Sequence, residues 1–176
     1  MPSSHTHEKW ALLLAVPLSY IFFKVSGKIL DSIIFFLSFI FGVFMLSPDL
    51  DTKSKIHSRW GFLRFIWFPY RKIVKHRSVI SHFPILGSII RTLYLIVSLT
   101  ILSSIIIYVI FTAVGIKNQG NIISAMKNSL ILIAKIISDM KINLIIAIVL
   151  GISAGDLIHY LLDVFTSYIK KQKVRK

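Results

Sequence analysis

The apolar residues of this chain are gathered into long uncharged runs, and the lengths of those runs predict its elements. Leu93 to Thr112 is twenty residues without a charge, enough at 1.5 Å per residue to cross about 30 Å of hydrocarbon as a helix. A second run from Ile142 to about Phe165 is broken only by Asn143 until Asp156, His159 and Asp163 appear near its end. Trp10 to Phe23 and Ser32 to Ser47 are runs of fourteen and sixteen residues, short for spanning helices, and the first contains Pro17. Lys24, Gly27, Lys28 and Asp31 make a polar turn between them. The pair therefore reads as a helical hairpin, spanning or re-entrant, whose two ends return to one side. Ile122 to Ser138 is interrupted by Lys127 and Lys135 and reads as an amphipathic helix on the far interface. The pattern predicts an all-α integral membrane bundle of about four membrane helices. It forms a single domain over residues 1–176, with a basic loop at 48–84 and a basic tail at 168–176.

Composition supports lipid as the solvent. A chain of 176 residues that is 55% hydrophobic, with a mean hydropathy of +0.76, carries more apolar surface than one small core can bury. The net charge of +14 then points to loops held against an anionic leaflet rather than to nucleic acid, and no nucleic-acid partner is expected. Eight basic residues lie between Lys53 and Arg77 with no acid among them, and five more follow Tyr168. The positive-inside rule places both segments in the cytoplasm. With the hairpin, one span out and one span back, both termini are cytoplasmic, and fifteen of the 21 Lys and Arg fall on that side. No cleavage pattern follows the first apolar run, so it is expected to remain in the mature protein. The absence of cysteine excludes disulfides and thiolate ligands, leaving nitrogen and oxygen for any metal.

The candidate chemistry lies in the acids. Five of the seven sit near a histidine or near each other, in four clusters: His5-Thr6-His7-Glu8, Pro48-Asp49-Leu50-Asp51, His76 to His82, and Asp156 to Asp163. The predicted topology brings all four to the cytoplasmic face. His159 and Asp163 share a helix face; Asp49 and Asp51, in extended chain after Pro48, would point the same way and could bridge two cations. The expected ligands are His7, Asp49, Asp51, His76, His82, His159 and Asp163, supported by Glu8 and Asp156. Seven donors exceed what one zinc ion needs, so a pair of Zn- or Mn-type divalent ions with a bridging water is expected. Such a site hydrolyses phosphoesters or carbonyl compounds. Arg77 and Arg91 are the candidates for gripping a substrate phosphate. The aromatic and basic stretch from Arg59 to Tyr70 reads as an interfacial anchor. His5 and His57 are weaker candidates, His57 as a plain loop residue. The competing interpretation is a metal that only locks the helix ends together, with no catalysis.

These motifs carry a resemblance over most of the chain. Thr6-His7 followed by an acid, Ser47-Pro48-Asp49-Leu50-Asp51, Arg59-Trp60-Gly61 through Pro69-Tyr70, His76-Arg77-Ser78 with Ser81-His82, and His159-Tyr160-Leu161-Leu162-Asp163 resemble a family of uncharacterised metal-binding membrane proteins. More distantly, the chain is similar to the YdjM-type membrane-bound metal-dependent hydrolases and to all-helical enzymes of the zinc-dependent phospholipase C kind. The resemblance implies a His/Asp metal site and hydrolysis of a phosphoester, on a lipid or lipid-linked substrate. Glu8 stands where an Asp would be expected.

Overall fold

The structure, a computed structural model, describes residues 4–74, 83–114 and 122–174, and every regular element among them is helical. Helix α1 (Ser4–Ser26) and helix α2 (Ile29–Met45) form the hairpin, and a 3-10 turn, Pro48–Asp51, follows. Then come α3 (Lys55–Arg59), a second 3-10 turn (Gly61–Ile66), α4 (Trp67–Ile73), α5 (Pro84–Ala113), α6 (Ile122–Asp139) and α7 (Ile142–Val174). Four helical stretches are long and apolar enough to cross a membrane: Thr6–Ser26, Ile29–Asp51, Pro84–Ala113 and Ile142–Ile169. The first is longer than its apolar run. The polar residues from His5 to Lys9 continue the helix, and Pro17 sits inside it without ending it. The result is 23 residues, about 35 Å of helix, so the hairpin helices are long enough to span.

Contacts divide the chain into two compact units, Met1–Thr92 with Ile142–Lys176, and Leu93–Lys141. The first is organised around α2 and α7. Phe35, Phe39 and Val43, spaced four apart on α2, meet Ala11 and Ala15 of α1 and Ala147 and Ile158 of α7 in one buried cluster. The helices approach closely because α7 is small where they touch. A methyl added at Gly151 would lie 2.6 Å from the Phe35 carbonyl oxygen, and one at Gly155 would lie 3.0 Å from Val43. Lipid supplies no hydrophobic drive between helices, so close backbone approach at small residues is what holds such a pair. Contacts advance in step along both chains, which makes α2 and α7 parallel. Gly27, at φ +68 and bonded through its N–H to the Phe23 carbonyl, closes α1 and turns the chain into α2.

The segment after α2 folds back over the end of that helix. Trp60 donates its indole N–H to the Met45 carbonyl at 3.0 Å, and the Arg59 guanidinium reaches the Phe44 carbonyl while lying over the Phe44 ring. Carbonyls that a helix end leaves unbonded are satisfied in this way. Trp67 and Tyr70 are buried beneath, whereas Phe62 is 88% exposed. In the second unit, the α6 helix bonds to α5 through Ser129 and Ser104 at 3.3 Å. α6 is not among the four apolar stretches.

Candidate metal centre

Three helices bring the site together. His7 lies one turn inside α1, Asp49 in the 3-10 turn that follows α2, and His159 and Asp163 one turn apart in the middle of α7. His7 Nε2 is 3.3 Å from one Asp163 oxygen, and His159 Nε2 is 3.5 Å from the other. One donor atom from each of the three residues falls within 4.8 Å of the rest. The two imidazoles stack with centroids 4.1 Å apart, so both present Nε2 to the same carboxylate. Asp49 approaches from the open side, its Oδ1 3.7 Å from His159 Nε2. Ser47 Oγ stands 3.5 Å from the opposite ring nitrogen of His159.

These separations identify what the cluster fits. They exceed the roughly 2.7–3.2 Å of a good N–H···O bond, so the residues are not simply bonded to one another. A tetrahedron with metal–ligand bonds of ~2.1 Å has edges of roughly 3.4 Å, close to the 3.3 and 3.5 Å from the two imidazoles to the oxygens of the Asp163 carboxylate, while the three donor atoms taken together lie within 4.8 Å of one another. Two imidazoles and a carboxylate are also a donor set that zinc and similar divalent ions accept. The adjoining pocket, walled by His7, Ser47, Asp49 and His159, has about 10 Å³ of room for a water-sized sphere. That is space on the scale of one ion or one water.

Other expected residues are placed differently. Asp49 and Asp51 do not lie in extended chain; the 3-10 turn sends their side chains apart. Asp49 faces His159, whereas Asp51 is buried and near enough to Tyr70 to help raise the pKa of its hydroxyl. Burial is the larger cause of that rise, and Arg91 opposes it. The extended geometry expected to let the two carboxylates bridge two cations is therefore replaced by a 3-10 turn. Asp156 shares the α7 stripe but turns to α5, where Arg91 Nη2 and Ser88 Oγ both donate to its Oδ2. Arg91 and Asp156 are 0% and 1% exposed. The guanidinium expected to grip a substrate is thus enclosed in an ion pair, and sequence spacing alone gives no sign of a partner 65 positions away. Glu8 lines the small pocket, but its carboxylate is held by Arg59 at 2.9 Å and Lys55 at 3.4 Å. His76, Arg77 and His82 lie outside the described residues.

His57, expected as a plain loop residue, is buried in α3 between Arg71 and Phe68. Burial, then the charges of Arg71 and Arg64, hold its pKa below the usual imidazole value. It is a packing residue of the folded-back segment.

Comparison with known proteins gives a family described as metal-binding. Residues 2–173 match the family described as "Uncharacterized metal-binding protein (DUF2227)". An uncharacterized protein of Aquifex aeolicus (strain VF5) is 44% identical over 62 residues, an alignment spanning 35% of this chain and 43% of that protein. No solved structure matches. The family match runs through all the elements that carry His7, Asp49, His159 and Asp163, and the chain belongs to this family of uncharacterized metal-binding proteins.

Proposed function

We propose that the protein is a membrane-embedded, metal-dependent phosphoester hydrolase whose metal is held by His7, His159 and Asp163. The observation that carries the proposal is the placement of three nitrogen and oxygen donors within 4.8 Å of one another, two of them, His7 and His159, lining a small pocket with room for one ion. Three protein donors with a further position left for water is the arrangement of catalytic rather than structural zinc sites. A divalent ion bound there would bring the pKa of its water toward neutrality and polarise a phosphoryl oxygen. Asp49 lies outside the three-residue cluster yet 3.7 Å from His159, and its carboxylate is the base for that water's proton. Asp49 would take the proton of the attacking water as its oxygen bonds to phosphorus and the bond to the leaving oxygen breaks, with His7, His159 and Asp163 holding the ion that would stabilise the phosphoryl charge. A second ion would draw on His76 and His82. The excess of Lys and Arg in the segments flanking the site supports a cytoplasmic orientation.

Two substitutions separate binding from catalysis. Asp163→Asn is expected to lose the metal and all turnover of a phosphoester substrate. Asp49→Asn is expected to keep the metal while turnover falls about 10²–10⁴-fold, the range for a positioned general base. A chain that binds stoichiometric metal but turns over no phosphoester would instead make the ion a structural clamp, and chelation would then lower thermal stability alone.

A further inference from the structure

Beside the metal cluster, α1 and α7 enclose a second cavity of a different kind. It has a volume of about 500 Å³ and is walled by Trp10 and Leu14 of α1 and by Ile158, Leu162, Phe165 and Tyr168 of α7, among others. That volume is within the roughly 300–1,000 Å³ of clefts that take small-molecule ligands. All six of these side chains belong to stretches long and apolar enough to cross a membrane. Its flanks are exposed on the outside of the helices, with Leu161 at 54%, Phe165 at 61% and Tyr168 at 61%. In a bilayer the groove would open toward the acyl chains.

Its relation to the cluster narrows the occupant. Ile158 walls both the small polar pocket and the apolar groove. His159 and Asp163 each sit next in sequence to groove residues, Ile158 and Leu162 with Val164. The groove therefore adjoins the small pocket at its Ile158 end, where a bound molecule would pass beside His159. A divalent ion, with exposed Lys9 and Lys171 on the same two helices, favours an anion at that end. An acyl chain joined to a phosphate meets both requirements. We propose that the groove holds an acyl chain of a phospholipid whose phosphate reaches the metal, so that the substrate is a membrane lipid rather than a soluble phosphoester. This rests on the metal-site reading above.

The test uses the full chain, loaded with zinc and reconstituted in phosphatidylcholine vesicles with a trace of phosphatidic acid carrying a photoactivatable group in one acyl chain. Crosslinks are expected in Trp10–Leu14 and Ile158–Tyr168. They should be lost on chelation, lost with a diacylglycerol bearing the same chain, and lost in Leu161→Trp, whose added ring fills the groove. Metal content of Leu161→Trp, unchanged, reports that the variant is folded, and the wild-type arms stand without it. Soluble glycerol phosphate in excess should not displace the lipid. Equal labelling by the phosphate-free lipid, labelling spread over the exposed faces of the other helices, or full displacement by glycerol phosphate each overturns the proposal while leaving the metal site standing. Wild-type protein that holds no zinc overturns both.

Discussion

At the scale of single residues, the same side-chain type serves opposite purposes according to its neighbours. Asp163 faces two imidazoles at distances suited to a shared cation, whereas Asp156, seven positions earlier on the same helix, is closed off with Arg91. Removing one member of such a buried pair leaves an uncompensated charge, while replacing both with apolar residues does not. Arg91→Leu is therefore expected to cost about 3–5 kcal/mol, and Arg91→Leu with Asp156→Leu much less. Thermal unfolding in detergent reads the difference; equal losses from the single and double variants would contradict the pairing. The His159–Asp163 spacing was legible in the sequence because it lies within one helix. The Arg91–Asp156 and Glu8–Arg59 pairs were not, because each joins elements whose register no local pattern fixes.

At the scale of elements, the close packing of α2 on α7 positions the site, since Asp49 follows one helix and His159 and Asp163 belong to the other. The signal for this contact was present as Gly151 and Gly155, four apart in an apolar run, and only the structure makes its role plain. Gly151→Val would drive a side chain into the Phe35 carbonyl, 2.6 Å from the first added carbon. The helices must part, at a cost of about 1–3 kcal/mol, visible as a lower unfolding temperature; an unchanged temperature would mean that the two helices do not touch there. The hairpin helices are longer than their uncharged runs of fourteen and sixteen residues because flanking polar residues continue them, whereas the spans in α5 and α7 followed from run length alone. The divergence of Asp49 and Asp51 did not, because whether Pro48 opens an extended segment or a 3-10 turn depends on what packs against it, here α3 and α4.

For the molecule as a whole, the proposed orientation, in which four spans and the excess of Lys and Arg would put the site and both termini on the cytoplasmic side, is open to a direct test. The chain has no cysteine, so a single cysteine at Phe62, 88% exposed, reports orientation cleanly. It is expected to react with an impermeant thiol reagent only when the cytoplasmic face is opened. Reaction from outside intact cells would reverse the orientation. The claim on which the rest depends is that three donors from two separated helices, α1 and α7, meet around one divalent ion. Elemental analysis of the purified protein and of His159→Ala tests it most directly. The account predicts about one divalent ion per chain through the His7, His159 and Asp163 donors, or two if the segment carrying His76 and His82 completes a second position, and loss of that ion in His159→Ala. Wild-type protein without stoichiometric metal, or a His159→Ala variant that retains it in full, would contradict the account.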